Sequence, residues 1–351
     1  MKQTYFLGAN TPEGFRSHYG VLFRDPRIRR LYILKGGPGC GKSTLMRTVS
    51  AAAQAKGCDV EEILCASDPD SLDGLIVPKV GLAIADGTAP HVLEPPLCGL
   101  GACYLDLGAF YDPVGVAQAA DALHKAAAEN EACRRLAQEA LCAVGAADRG
   151  CRQLAEAALP KDFYTQTAAE LLPPLPAPAA PEAAPLDRFC AAITPAGLRT
   201  EPPRAAVRVL LQDSRGLSDP LLRAVEKRYR EAGYQTVRGW DPLRPDSLLS
   251  VRIPSLDTLY AVSSPWFPVG GQAAAQLDLD ARSVPAAACQ QQHAAAFSRL
   301  RSAALETALR LLAEAKQRHD QLEAAYRPYV DFTGVQTAAE RLAALLEDAA
   351  F

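Results

Sequence analysis

Leu31-Tyr-Ile-Leu34-Lys-Gly36-Gly-Pro-Gly-Cys-Gly41-Lys42-Ser43-Thr44 decides how this chain is to be read. Residues 31–35 are a short apolar run ending in a glycine-rich turn, the signature of a buried strand. Residues 43–55 have helix-forming composition and stop near Gly57. Between them the spacing G-x-x-x-x-G-K-[ST] is complete, in the strand–turn–helix context that gives the pattern its meaning as a phosphate-binding loop. Glycines let backbone N–H groups curve around phosphate oxygens without Cβ clashes, and the helix start adds partial positive charge. Gly36, Gly37, Pro38, Gly39, Cys40, Gly41, Lys42, Ser43 and Thr44 are thus the expected nucleotide-binding residues. Lys42 is expected to act catalytically on the β- and γ-phosphates, and the Ser43 hydroxyl to ligate Mg²⁺.

Working outward, residues 60–65 read as a second strand and residues 80–85 as a third, closed by Asp86-Gly87. Strands alternating with helices predict a parallel α/β sheet. Asp86 ends an apolar strand, where a carboxylate would hold the Mg²⁺ shell; the plain alternative is a turn aspartate. Gly87 follows it, not a glutamate that would activate water, so hydrolysis is expected to be slow or the γ-phosphate to go to another acceptor. Asp68, Asp70 and Asp73 fall at the sheet edge where open α/β sheets bind ligands. Asp68 is the candidate general base, whereas Asp70 or Ser71 suits a helix cap. His91 lies at the same edge, as a phosphate or acceptor contact or as a solvated loop residue. Thr88 is a candidate γ-phosphate contact. Cys40 offers a thiol inside the loop, and Arg27, Arg29 and Arg30 offer guanidinium groups before the first strand.

Six of the 27 prolines fall within residues 173–185. Proline fixes φ and cannot donate a backbone hydrogen bond, so this stretch predicts an extended, semi-rigid linker. The flanking parts, residues 1–172 and 186–351, match each other. Phe6-Leu-Gly-Ala9-Asn-Thr11-Pro12-Glu-Gly14-Phe15 parallels Phe189-Cys-Ala-Ala192-Ile-Thr194-Pro195-Ala-Gly197-Leu198, and Asp70-Ser71-Leu72 parallels Asp246-Ser247-Leu248. Gln166-Thr-Ala-Ala-Glu170 recurs as Gln336-Thr-Ala-Ala-Glu340. Six blocks recur in one order at an offset drifting from 183 to 170 residues, which indicates a duplicated domain. Residues 114–158 and 285–326 have helical spacing and predict a long helical insertion or hairpin in each half, with Gly145 and Gly150 breaking the first. Aligned on the strand, the second half sets Asp219 against Lys42, Pro220 against Ser43, Val262 against Asp86 and Trp266 against His91. It is expected to have lost its phosphate site. Residues lost together with Lys42, namely Asp68, Asp73, Asp86, His91 and Asn10, are candidate chemistry.

The chain has 351 residues, 49% hydrophobic and 22% charged, with a net charge of −3, as in a globular protein of about two domains. That balance excludes a generally basic nucleic-acid coat, and no aromatic–basic interleaving supports nucleic-acid binding. Scattered cysteines without CxxC pairs read as reduced cytoplasmic thiols. The start lacks a signal-peptide core, and no run of about 18 apolar residues spans a membrane.

Residues 6–15, 33–43, 68–74 and 86–91 resemble a family of bacterial, mostly Firmicute, P-loop ATPase-like proteins built from two tandem nucleotide-binding halves. The resemblance covers nearly the whole chain and implies ATP or GTP binding at Lys42, Ser43 and Asp86. The second loop of that family is often intact, whereas here it is degenerate. The leading expectation is a Mg²⁺-dependent NTPase whose second half regulates it or docks a protein partner through the helical arms. A small-molecule or nucleotide kinase is the second, since roughly 43 residues separate Lys42 from Asp86 and the core is compact. A non-catalytic nucleotide-binding scaffold is the third.

Overall fold

A computed structural model describes residues 2–97, 99–172, 184–282 and 288–347. The expected linker at residues 173–185 lies outside them except for Ala184 and Pro185. The first half forms β1 (Lys2–Tyr5), β2 (Gly8–Thr11), β3 (Gly14–Ser17), β4 (Arg30–Lys35), β5 (Val60–Leu64), β6 (Leu72–Val77), β7 (Leu82–Asp86) and β8 (Ala102–Asp106). The second forms β9 (Leu186–Phe189), β10 (Ala191–Thr194), β11 (Gly197–Thr200), β12 (Val207–Gln212), β13 (Val237–Trp240), β14 (Leu248–Ile253), β15 (Thr258–Ser263) and β16 (Ala275–Asp278). Each half has one six-stranded sheet, ordered β1-β5-β6-β7-β4-β8 and β9-β13-β14-β15-β12-β16. The two orders correspond strand for strand, and a separate hairpin follows the first strand of each.

β1 pairs with β5, and β4 with β7 and β8, in parallel. β6 runs antiparallel to both β5 and β7, so the sheet is mostly rather than wholly parallel. The expected third strand also starts later, at Leu82. Only Pro78–Val80 and Gly81 (φ +66°) join β6 to β7. Parallel neighbours need a crossover of a dozen or more residues, so this link can make only a hairpin. Asp70 and Ser71 cap no helix. The Ser71 N–H donates to the Asp68 carbonyl at 2.7 Å in a tight turn, and β6 begins at once.

The helices are α1 (Lys42–Ala55), α2 (Pro113–Gln118), α3 (Ala120–Glu156), α4 (Phe163–Leu171), α5 (Asp219–Glu231), α6 (Leu279–Arg282), α7 (Ala288–Tyr326) and α8 (Phe332–Ala344). In place of a hairpin within each half, each contributes one long helix, α3 of 37 residues and α7 of 39, about 55 Å long. The two pack antiparallel on each other, joined by pairs such as Asp148–Arg301 and Asn130–His319. Gly145 and Gly150 do not break α3. A Cβ at Gly145 would lie 2.5 Å from Pro12, and one at Gly150 would lie 2.7 Å from the Phe297 ring. These glycines admit close neighbours. None of the described helices is long and apolar enough to cross a membrane.

The terminal helices are exchanged. α8 of the second half lies on α1, so Val335, Ala339 and Leu342 join Leu45, Met46 and Val49 in the first core. α4 of the first half lies on α5, so Phe163 and Leu171 join Leu221, Leu222 and Val225 in the second. Phe6 and Phe189 close the centre with reciprocal N–H···O=C bonds of 2.9 and 2.8 Å. Asn10, a candidate for chemistry from the sequence, instead donates to the Ile193 carbonyl across this contact at 2.9 Å.

Asp148 on α3 is buried between Arg244, at 2.7 Å, and Arg301, at 2.6 Å. Burial opposes its charge, but the two guanidinium groups outweigh burial and hold the carboxyl below its usual range. Asp148→Ala leaves two buried cations without this partner and is expected to lower stability by about 3–5 kcal/mol in urea unfolding. His18 packs 4.7 Å from Phe189, and burial pushes its pKa down to about 4 although Asp187 opposes this. Between pH 6.5 and 4 the unfolded chain therefore binds more protons than the folded one, and stability falls as pH falls. The expected loss is about 3 kcal/mol, and His18→Gln removes it from the stability–pH curve.

Candidate functional site

The loop 36–41 leaves the end of β4, which lies between β7 and β8, and turns into α1. Gly39 (φ +72°) and Gly41 (φ +88°) are left-handed, a conformation that strains any residue with a Cβ. Lys42 Nζ donates to the carbonyls of Gly36 and Gly37 at 2.8 and 2.9 Å and lies 3.6 Å from Asp86 Oδ2. Ser43 Oγ accepts the Leu72 N–H at 2.9 Å, tying α1 to β6. Asp86 Oδ1 accepts from both the N–H and the hydroxyl of Thr88, at 2.9 and 2.6 Å. The loop floors a cleft of about 540 Å³, which Asp68, Asp73, Asp86 and His91 also line.

Asp68 is held 3.5 Å from Lys316 of α7. His91 is buried rather than solvated: Nε2 meets Asp73 Oδ2 at 3.3 Å, and Nδ1 has no hydrogen-bond partner. Burial works against protonation of this ring, but the hydrogen bond and field of Asp73 prevail and set its pKa above the usual value. Cys40 is buried and burial pushes its thiol up, which removes the basis for a reactive thiolate in the loop. Arg27 is clamped by Asp25 and Glu61, and Arg29 packs against Gly81; neither lines the cleft. A Cβ at Gly87 would lie 2.3 Å from Ile33 Cγ2, so the close approach to β4 explains why no glutamate follows Asp86.

The structure also brings in residues that sequence reasoning missed. Arg134 of α3, His319 and Glu323 of α7, Arg327 and Phe332 line the cleft. Glu323 Oε1 accepts the Gly39 N–H at 3.3 Å, and Tyr111 donates to the Pro38 carbonyl at 2.7 Å. Glu323 lies 284 residues from Gly39, and no local pattern signals a contact that arises only because the long helices cross.

The second half corrects its own alignment. Asp219 accepts the Leu248 N–H at 2.8 Å, as Ser43 accepts that of Leu72, and Arg223 binds the Asp246 carbonyl as Arg47 binds that of Asp70. Asp219 therefore stands for Ser43, and Ser218, not Asp219, stands for Lys42. Val262 pairs with Leu211 as Asp86 pairs with Leu34, which keeps that equivalence. Phe267, five residues past Val262 as His91 is five past Asp86, replaces Trp266 as the counterpart of His91; its N–H donates to Ser264 Oγ at 3.1 Å, whereas that of His91 donates to the Thr88 carbonyl. Asp213 follows β12 where Gly36 follows β4. Its carboxylate accepts the N–H groups of Arg215, Gly216 and Ser218 at 2.9, 2.8 and 2.8 Å. The degenerate loop thus keeps a ring of inward N–H groups and fills it with its own anion. The hollow beside it encloses only about 10 Å³, with the Arg244 guanidinium packed against Gly216.

No family model, curated protein or solved structure matches the chain. Among the described residues, no group of three or more His, Cys, Asp or Glu side chains gathers as a metal centre. Ser43 and Asp86 both line the cleft. A hydroxyl and a carboxylate suit Mg²⁺ only if phosphate and water supply the other oxygens.

Asp213→Ala leaves three loop N–H groups without their acceptor, and Asp213 is buried. Stability is expected to drop by about 3 kcal/mol in urea unfolding, and molar sulfate, which can enter the ring, to restore part of it in the variant but less in the parent chain.

Proposed function

We propose that the first half is a P-loop NTPase domain that binds ATP or GTP with Mg²⁺ and hydrolyses it slowly, with the second half as a closed, regulatory duplicate. The observation that carries this reading is the contrast between the two loops. Where Asp213 satisfies its own loop with a carboxylate, the intact loop has Gly36, which bears no side chain. Lys42 adds a cation at the mouth, and the cleft is of nucleotide size. The fit of a triphosphate rests on this chemistry: N–H donors and one lysine suit phosphate oxygens.

Ser43 and Asp86 would hold Mg²⁺, which supplies charge neutralisation on the phosphates. Lys42 binds and orients, and Thr88 fixes the Asp86 carboxylate. Arg134 and Arg327 add positive charge from the helices that cover the cleft. Slow turnover follows from Gly87, since the glutamate that would activate water is sterically excluded there. Asp68 is engaged by Lys316, and His91, held protonated beside Asp73, suits a phosphate contact better than a base. The reading carries with it a cytoplasmic setting. The long helices bury their facing surfaces on each other, so a protein partner would meet the outer side of the pair.

Lys42→Ala is expected to weaken MgATP and MgGTP binding by roughly 100-fold or more, as loss of a charge-assisted phosphate contact does, whereas Asp219→Ala leaves binding unchanged. Titration calorimetry checks both, and tight binding by the Lys42 variant would refute a single P-loop site. Phosphate release without an added acceptor supports the NTPase. Release only as transfer to an acceptor turns the reading to a kinase, and binding without turnover turns it to a scaffold.

A further inference from the structure

The intact loop already has one anion against it. Glu323 Oε1 accepts the Gly39 N–H at 3.3 Å, and a Cβ at Gly39 would lie 3.0 Å from the Glu323 carbonyl oxygen. α7 of the second half therefore sits directly on the phosphate cradle of the first. A carboxylate on this N–H occupies the place of a phosphate oxygen and repels its like charge, so the two compete for the donor. The second half shows the same chemistry made permanent, with Asp213 on three loop N–H groups and Asp280 of α6 on the Ser214 N–H at 3.0 Å.

We infer that Glu323 is a built-in plug of the phosphate cradle, which a nucleoside triphosphate must displace, so that nucleotide binding is coupled to the α3–α7 helix pair. The inference rests on the P-loop reading above and concerns the regulation of that same site. The contact is reversible, unlike that of Asp213, because the Glu323 side chain is 41% exposed and can turn to solvent. His319 lies 3.4 Å from it on the same helix and favours its ionised form. The His319 ring in turn approaches Asn130 of α3 at 3.5 Å, and Asn130 Oδ1 accepts from Arg134 Nε at 3.1 Å. One helical turn back, Lys316 reaches Asp68 on the cleft wall. Displacing Glu323 therefore disturbs a chain of contacts that runs from the loop to both long helices. The energy with which the plug holds is subtracted from nucleotide affinity, as for any binding-competent state that is only partly populated.

Calorimetry with MgATP and MgGTP on the full chain, its E323Q and E323A variants and the Lys42→Ala control tests this. Glu323→Gln and Glu323→Ala are expected to tighten nucleotide binding by roughly tenfold, with turnover at saturating nucleotide kept or raised. Binding by the variants where the parent chain shows none is the stronger form of the same result. Affinity that is equal or weaker in the variants, in a parent chain whose binding depends on Lys42, overturns the plug and leaves the P-loop reading standing. So does tighter binding with turnover abolished, which would make Glu323 a catalytic group instead. No Lys42-dependent binding in any variant overturns the P-loop reading itself, and the plug with it.

Discussion

The apolar face beside α1 is sealed by α8 from the far end of the chain, and the face beside α5 is sealed by α4 from the first half. Everything else in the architecture follows from that exchange. For α4 and α8 to reach the opposite sheets, the helices that lead to them must pass each other. α3 and α7 do so as an antiparallel pair, with Gly145 and Gly150 admitting Pro12 and Phe297 at close range. Once the pair is in place, its side chains reach both sheet edges. Arg134, His319 and Glu323 enter the cleft above the intact loop, with Arg327 just past the end of α7, while Asp148 enters the other half to meet Arg244.

The two edges use this reach with inverted sign. In the first half an acid on the sheet, Asp68, faces a base on the helix, Lys316. In the second, Arg244 takes the place of Asp68 and faces the acid Asp148. The first pair is partly exposed and leaves a cleft of about 540 Å³. The second is buried, packs into the loop and leaves about 10 Å³. A triphosphate brings several negative charges. On the reading proposed above, it would suit a wall that offers Lys42 and Arg134, not a loop whose N–H groups are already satisfied by Asp213.

The loop and its strand–turn–helix context were legible in the sequence because glycine, lysine and serine at fixed spacing act within a dozen residues of one another. The duplication was legible because sequence blocks recur in order. β6 was not, because residues 72–77 carry Asp73 and Gly74 and lack a clear alternation; their strand character comes from the short link to β7. The helix exchange was not, because amphipathic residues announce that a face is to be buried and not which sheet will bury it. The equivalence of Asp219 was misread by one position, because the degenerate loop is one residue shorter and only the hydrogen bond to Leu248 restores the register. Glu323, far along the chain, had no local partner to mark it.

The joining of the two copies into one polypeptide has a genetic consequence. In an assembly of two identical chains every substitution occurs twice, so a carboxylate that filled one loop would fill both and no open loop would remain. In a single chain, Asp213 can close one loop while Gly36 keeps the other open. The covalent connection thus frees each copy to accumulate its own changes, and the pair can divide labour in a way that two identical subunits, bound by symmetry to share every residue, cannot.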